Sequence, residues 1–287
     1  MINGDKRMDG IILVNKPKGM TSHDVVNKLR KILHTKKVGH CGTLDPDATG
    51  VLVVCINKAT KVLQFLTSEN KEYIATLNLG TSTDTYDASG NVLEVKAYQS
   101  IDNDKIIECI KSFVGVQVQK PPMYSAIKVN GKKLYEYARA GETVEIPART
   151  VNINYIDVLE IKDNLIKFKV GCSKGTYIRS LCFDIAAALG YPGHMQELIR
   201  TKSGKFSLSD CYTLEQIADG QFDYLNLERA LSDYQWLEVE DENIVYHGKK
   251  IKADINEQVV IVNKDKKVLA MYGPDGEGYL KNIRGLW

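Results

Sequence analysis

A polar segment rich in glycine, residues 39–50, most constrains how this chain can fold. It precedes the apolar run 51–56, and such small, polar residues have no core to fill, which is typical of a loop. Asp45 precedes a proline, whose ring disfavours the helical conformation in the residue before it. Gly42 and Gly50 supply unusual dihedral angles or allow another molecule to approach closely. The segment predicts a stiffened loop that presents one carboxylate, although a plain surface turn has a similar composition.

This segment resembles the signature loop of the TruB family of tRNA pseudouridine synthases, which reads Gly-His-x-Gly-x-Leu-Asp-Pro-x-Ala-x-Gly. Four further segments resemble family motifs in the same order: residues 13–22, 71–73, 123–139 and 172–179. They contain Lys-Pro-Lys-Gly-Met-Thr-Ser, Lys-Glu-Tyr, Tyr-Ser-Ala and Ser-Lys-Gly-Thr-Tyr-Ile-Arg, respectively. With five motifs in one order over most of residues 10–205, the chain is identified as a member of that family.

The composition is typical of a globular protein, with 44% hydrophobic and 26% charged residues. No apolar run is long enough to cross a bilayer, and residues 1–7 lack the apolar core of a secretory signal. The six cysteines are scattered without a Cys-x-x-Cys pair, which indicates reduced core residues rather than a disulfide frame or a zinc site. We therefore expect a cytoplasmic protein with no membrane segment and no metal.

The charge is unevenly distributed along the chain. A net charge of +2 gives no overall argument for nucleic-acid binding. Nine basic and three acidic residues nevertheless give residues 1–40 a net charge of +6, whereas four basic and seven acidic residues give residues 70–119 a net charge of −3. A basic segment next to the glycine-rich loop suits a phosphate-rich ligand. For Lys28, Arg30 and Lys31, a solvated helix face is an equally good interpretation.

Strand and helix patterns are mixed without strict alternation, so we predict an α+β fold with a mixed, largely antiparallel sheet. The family resemblance implies the pseudouridine synthase fold. Strands are predicted over residues 10–14, 51–56, 73–79, 92–95, 151–161 and 165–172. Helices are predicted after Thr21 or Ser22, after Asp102, over residues 134–140 and over residues 176–189.

A composition shift near residues 233–240 predicts a domain boundary. We expect a catalytic domain over residues 1–232 and a small all-β domain over residues 233–287, with short strands near 258–262, 268–272 and 280–283. The resemblance implies that this second domain is an RNA-binding domain of the PUA type. A simple β extension that packs on the core is the alternative.

The resemblance also implies a reaction: isomerisation of the T-loop uridine at position 55 of tRNA to pseudouridine, without a cofactor. Because the target base lies inside folded RNA, the enzyme must extrude it, at a cost on the order of a few kcal/mol. The catalytic carboxylate of the family corresponds to Asp45, and the sequence leaves open whether it acts as nucleophile or base. The family's arginine corresponds to Arg179, which we expect to hold Asp45 in one geometry and to lower its pKa.

A substrate-binding set follows from the same resemblance. Tyr73 is implied to stack on the target base, although its strand pattern also suits a core tyrosine; such a stack contributes roughly 1–3 kcal/mol. Tyr177 is a second aromatic candidate, and His40 is implied to insert into the RNA loop. The complete predicted set is Tyr73, Tyr177, His40, Lys16, Lys61 and Leu198, with the two lysines as phosphate contacts.

Three positions depart from the family pattern: Cys41 where threonine is frequent, Asp47 where an apolar residue is frequent, and Val53 where proline is common. A carboxylate at Asp47 would raise the pKa of Asp45 if both faced the site, and we expect Asp47 to face solvent instead.

We expect tRNA, bound through its T arm, as the partner of a monomeric enzyme that uses no guide RNA. Three alternatives stay open: an RNA chaperone without chemistry, a guide-RNA-dependent relative, and a hydrolase or phosphotransferase built on the two carboxylates of the loop.

Overall fold

The structure is a computed structural model that describes residues 9–67 and 70–287. The expected absence of a secretory signal, and the charges of Asp5, Lys6 and Arg7 counted above, lie outside the described residues. Within the described ranges, no helix has both the length and the apolar character needed to cross a membrane.

Eight α-helices occur in the described residues. They are α1 Ser22–Ile32, α2 Leu63–Thr67, α3 Asn103–Lys111, α4 Leu134–Ala140, α5 Ile178–Ala188, α6 Leu214–Ala218, α7 Leu227–Ala230 and α8 Glu242–Tyr246. Short 3-10 helices span Asn57–Val62 and Leu208–Asp210. The predicted caps are confirmed: the Thr21 side chain accepts from the backbone N–H of Asp24, and the Asp102 side chain accepts from two backbone N–H groups of α3.

The strands of the first two thirds of the chain are β1 Gly10–Lys16, β2 Val38–Cys41, β3 Thr49–Ile56, β4 Lys71–Leu79, β5 Thr81–Thr83, β6 Val92–Val95, β7 Gly115–Gln119, β8 Lys128–Val129, β9 Lys132–Lys133, β10 Arg149–Lys162, β11 Leu165–Cys172, β12 Gly193–Ser203 and β13 Phe206–Ser207. Nine of them form one sheet in the order β1-β3-β12-β4-β11-β10-β7, with β2 added to β3 and β13 to β12. Its described pairs are antiparallel except β3 with β12. The predicted α+β fold with a mixed, largely antiparallel sheet is confirmed.

Residues alternate between buried and half-buried along β4, so one face of this strand is a core face. On that face Tyr73, Ala75 and Leu77 pack in one cluster with apolar side chains of α3 and α5. The face therefore carries both the main hydrophobic core and, at one end, the predicted site residue Tyr73.

The C-terminal strands are β14 Gln235–Glu238, β15 Ile251–Lys252, β16 Val259–Val262, β17 Val268–Pro274 and β18 Tyr279–Gly285. They form a separate five-stranded sheet in the order β14-β16-β17-β18-β15. Val260 and Met271 of this sheet share a core cluster with Leu13 of β1 and Val53 of β3. The sheet is therefore a C-terminal β unit that packs on the main sheet; its boundary at residue 233 and its PUA identity stay predictions.

Several elements of the fold were not predicted, and two of them lie close to the predicted site loop. Residues 39–41 belong to the predicted loop, but residues 38–41 form strand β2, which pairs with β3. Strand β12 was not anticipated at all, although it lies at the centre of the main sheet between β3 and β4. Helix α5 begins at Ile178 rather than at residue 176, because residues 173–177 form a turn that leads into it.

Candidate active site

The loop between β2 and β3 carries Asp45, and hydrogen bonds fix it on both sides of this residue. The Ser22 hydroxyl, at the start of α1, accepts from the Leu44 N–H at 2.9 Å and donates to the Leu44 carbonyl at 3.3 Å. The ammonium of Lys16 donates to the Pro46 carbonyl at 2.9 Å. The backbone around Asp45 is thus anchored to both β1 and α1, so the carboxylate has a defined position.

Lys16 is not available as a phosphate contact, which corrects the sequence prediction. Its side chain is fully buried, and its ammonium also donates to the carbonyls of Pro17 and Met20 at 2.8 and 2.5 Å. Burial lowers the pKa of Lys16 to about 8. A cation whose donors are used by three carbonyls inside the protein supports the loop rather than the RNA.

Arg179, in the first turn of α5, brings its guanidinium to Asp45. Its Nε lies 3.1 Å from Oδ2 of Asp45, and its Nη2 donates to Oδ1 at 3.2 Å, so the fork engages both carboxylate oxygens. The remaining contacts of the guanidinium are to the carbonyls of Thr85 and Tyr124, at 3.1 and 3.0 Å, and to the carboxylate of Asp87, at 3.4 Å. With so many partners, the buried Arg179 is held rigidly.

The electrostatic outcome at Asp45 differs from the prediction. Burial raises the pKa of Asp45, Arg179 acts against this, and Asp87 and Asp47 add to the rise. The guanidinium of Arg179 lowers this pKa, as expected, but the net shift is upward. Removal of the carboxylate from water outweighs the ion pair, and a less acidic carboxyl group is a better base or nucleophile when ionised. The side chain of Asp47 is exposed, as predicted.

Tyr73 lies on β4 beside the loop that carries Asp45, and it is 9% exposed. Burial raises the pKa of Tyr73, while the neighbouring guanidinium of Arg200 acts in the opposite direction. Arg200 is itself buried and joins three parts of the site, since its Nε donates to the Val51 carbonyl at 2.7 Å and its Nη2 to the Gly42 carbonyl at 3.1 Å.

Tyr177 is the residue immediately before α5, and its backbone is clamped by the side chain of Gln119 at the end of β7. The Gln119 amide oxygen accepts from the Tyr177 N–H at 2.8 Å, and its amide nitrogen donates to the Tyr177 carbonyl at 2.9 Å. The half-buried ring therefore has a fixed attachment at the edge of the site.

An open cavity of about 840 Å³ brings the central residues together. Five residues of the predicted site line it: Asp45, Arg179, Tyr73, Tyr177 and Leu198. The Asp45 side chain is 36% exposed, so it is reachable from this cavity and is not sealed in the core. A carboxylate with its guanidinium partner, next to aromatic and apolar side chains, suits a flat base that has been removed from a stack.

Besides Lys16, two residues of the predicted set lie outside the lining of this cavity. His40 is a half-buried residue of β2 outside the lining of this cavity, and burial lowers its pKa. Lys61 lines a different cavity, of about 1030 Å³, together with Lys36, Lys37 and Arg284. The roles expected for them, insertion into the RNA loop for His40 and phosphate contact for Lys61, stay predictions.

Sequence reasoning missed Asp87 and Arg200. Asp87 lies between the predicted strands 73–79 and 92–95, and the one signal for it was a carboxylate in a segment with an excess of acidic residues. Arg200 lies on the unpredicted strand β12, two residues after Leu198, so a strand there would have placed both side chains on one face.

Comparison with known proteins identifies relatives of the whole chain. A sequence profile described as TruB family pseudouridylate synthase (N terminal domain) matches residues 30–178, and one described as tRNA pseudouridylate synthase B C-terminal domain matches residues 179–234. The tRNA pseudouridine synthase B of Bacillus anthracis is 43% identical over 97% of this chain and 97% of that protein. That of Geobacillus thermodenitrificans is also 43% identical, over 96% and 99%.

Two solved structures share the fold. One is an H/ACA RNP bound to a substrate RNA containing 2′-deoxyuridine, with a TM-score of 0.74 and 29% identity over 97% of this chain and 85% of the matched chain. The other is a Cbf5-Nop10-Gar1 complex, with a TM-score of 0.73 and 31% identity over 92% and 78%. Coverage of 97% means that the first match includes the C-terminal sheet as well as the cavity.

Proposed function

The chain belongs to the TruB family of pseudouridylate synthases and is a tRNA pseudouridine synthase, and we propose that it isomerises the uridine at position 55 in the T loop. The observation that carries this proposal is the ion pair of Asp45 and Arg179 at an open cavity lined by Tyr73 and Tyr177. Binding of RNA alone does not require a fixed carboxylate in such a place, whereas isomerisation of a base does.

In the proposed mechanism, the target nucleotide leaves the stack and enters the cavity. The ionised carboxylate of Asp45 then acts on the ribose or the uracil ring, the bond between N1 of uracil and the ribose breaks, the base turns, and a new bond forms between C5 and the same ribose carbon. C5 loses a proton and N1 gains one. Arg179 holds the carboxylate in one orientation throughout. Tyr73 and Leu198 provide the surface for the base, and the isomerisation consumes no cofactor because atoms and electrons balance within the nucleotide.

For partners, we propose that the enzyme binds the T arm of tRNA as a monomer and without a guide RNA. Support comes from curated relatives of equal length that are named as tRNA pseudouridine synthases. We further propose that residues 1–232 form the catalytic domain and residues 233–287 a PUA-like domain; the separate five-stranded sheet supports this division.

The test is incubation of unmodified tRNA with the protein, followed by mapping of pseudouridine at single-nucleotide resolution. We expect product at the T-loop uridine with the wild type and none with Asp45→Asn, which should still bind tRNA. Asp47→Asn is the matched control, because it removes an exposed carboxylate two residues away, and it should keep most of the activity. Product at another position, or product that persists in Asp45→Asn, contradicts the proposal.

A further inference from the structure

Arg149, the first residue of β10, lies in the lining of the catalytic cavity and has no role in the chemistry described above. The cavity is also lined by two other arginines, and both are committed inside the protein: Arg179 to two carboxylates and two carbonyls, Arg200 to two carbonyls. The guanidinium of Arg149, by contrast, meets no hydrogen-bond acceptor and no carboxylate among residues 9–67 and 70–287. Arg179 and Arg200 are also buried, whereas Arg149 is half-buried, so among these three arginines its donors are the ones that a ligand can reach.

The position of Arg149 is nevertheless defined. Its guanidinium carbon lies 5.6 Å from the centroid of the Tyr177 ring, a distance at which the cation is attracted to the ring. The backbone of Arg149 pairs with Gln119 on β7, and the side chain of Gln119 clamps the backbone of Tyr177. One glutamine thus fixes both members of the pair. A cation–π contact uses none of the N–H groups of the guanidinium as hydrogen-bond donors, so the planar fork can still bind a phosphate through two of them.

The neighbouring turn leaves room for such a ligand. Gly175 has φ +82°, and a Cβ at this position would lie 3.3 Å from Nη1 of Arg149. A side chain at residue 175 would therefore crowd the donors of the guanidinium, whereas glycine leaves them uncovered. The arrangement combines an oriented cation, free donors and open space at the edge of the cavity that holds Asp45.

We propose that Arg149 binds a backbone phosphate next to the extruded nucleotide, with Tyr177 as its platform. The inference rests on the proposed function, because an extruded uridine carries its 5′ and 3′ phosphates to the rim of the cavity. Arg149 acts on binding and orientation of the nucleotide, and the reacting atoms stay with Asp45.

The experiment pairs a protein change with an RNA change. The probe is an unmodified T-arm stem-loop RNA in which one phosphate, either 5′ or 3′ to the target uridine, is replaced by an uncharged methylphosphonate. Binding is measured in the Asp45→Asn background, so that no turnover occurs. We expect Arg149→Met to weaken binding of the unsubstituted probe about tenfold and to reduce the salt slope by about one. One methylphosphonate should weaken binding to a similar extent, and it should cause no further loss in Arg149→Met.

Two further variants control the result. Lys162→Met removes a charge from an exposed lysine at the opposite end of the same strand, roughly 40 Å away at the usual rise per residue, and it should leave the methylphosphonate penalty intact. Arg149→Lys keeps the charge but loses the fork, so it should keep the salt slope and lose part of the affinity. Because one half of the cycle changes only the RNA, misfolding of a variant cannot imitate the expected result.

The inference is overturned if a methylphosphonate, at either position, weakens binding by the same factor in Arg149→Met as in the protein that keeps Arg149. The outcome is separate from that of the proposed function, which is read by mapping pseudouridine after incubation with the wild type. A missing product with a non-additive binding cycle refutes the reaction and keeps the phosphate contact. Product at the T-loop uridine together with an additive binding cycle supports the reaction and refutes the phosphate contact.

Discussion

At the scale of single residues, two effects on Asp45 oppose each other. Burial raises the pKa of its carboxyl group, and the fork of Arg179 limits that rise while fixing the orientation. Asp87 contacts the same guanidinium and pushes the pKa of Asp45 further upward. The site therefore contains two carboxylates for one arginine, and the second carboxylate helps to set the pH at which the first is ionised.

We predict that Asp87→Asn shifts the acid limb of the pH–rate profile to lower pH. In the proposed mechanism Asp45 acts in its ionised form, and removal of the negative charge of Asp87 makes its ionisation easier. Asp47→Asn is the comparison, because it also removes one negative charge near Asp45 but from an exposed side chain, where water screens the charge. Single-turnover rates across the acid limb measure both variants. A shift to higher pH, or equal shifts in the two, refutes the prediction.

Lys16 gives a prediction about stability. Its pKa is about 8 in the folded protein and about 10.5 in the unfolded chain, so between these values the unfolded chain holds a proton that the folded protein has released. Stability therefore rises with pH over this range. The free energy of unfolding of the wild type, minus that of Lys16→Met, should increase between about pH 8 and about pH 10 in urea titrations. A difference between wild type and Lys16→Met that does not change with pH contradicts the assignment.

At the scale of helices and strands, local sequence patterns predicted much of the fold. The capping residues Thr21 and Asp102 and the alternation along β4 were readable because each signal lies within a few residues. Strand β12 was not predictable, since polar and apolar residues do not alternate in its sequence, Gly-His-Met-Gln-Glu-Leu-Ile-Arg-Thr-Lys-Ser. Two register irregularities, at Met195/Glu197 and Arg200/Lys202, explain this, because an extra residue in a strand reverses the side-chain pattern beyond it.

The residues of the site also divide into those that the sequence predicted and those that it did not. Asp45, Arg179, Tyr73, Tyr177 and Leu198 were named from motifs, and they line one cavity. Lys16 was misassigned, because a lysine in a polar segment gives no sign that three carbonyls will surround it. Asp87 was missed because its contact with Arg179 joins residues far apart in sequence. Contacts of this kind depend on tertiary packing, which no local pattern encodes.

The junction of β3 and β12 depends on Gly50. Its φ is +104°, and a Cβ there would lie 2.2 Å from the backbone carbonyl oxygen of Arg200, its partner across the parallel pair. We predict that Gly50→Ala lowers the free energy of unfolding by about 3 kcal/mol or more, since both the dihedral angle and the strand spacing must change. Gly19→Ala has a similar positive φ but no atom within 4 Å of the added methyl group, so it should cost only about 1 kcal/mol. Equal losses in urea unfolding contradict this account.

At the scale of the whole molecule, the main sheet lies between two sets of partners. One face of β1 and β3 packs on α1 and α6, and the other packs on α2 and the C-terminal sheet. The C-terminal sheet has a second core of its own on the side of α8. One face of the C-terminal sheet thus packs on the main sheet, as the alternative of a β extension predicts, and the other face has its own core; the PUA-type identity stays a prediction.

Because the two sheets share this core, we predict that the main sheet and the C-terminal sheet unfold in one transition. Both tryptophans of the chain, Trp236 and Trp287, belong to the C-terminal part, so fluorescence reports that part while far-UV circular dichroism reports the whole molecule. The two urea curves should coincide. Met271→Ala, fully buried in the shared core, should move both curves together by about 2–5 kcal/mol. Leu269→Ala, which is buried in the core on the α8 side, is the matched variant. If fluorescence changes at a lower urea concentration than circular dichroism, in the wild type or in Leu269→Ala, the C-terminal sheet unfolds by itself. The shared core then does not couple the two parts.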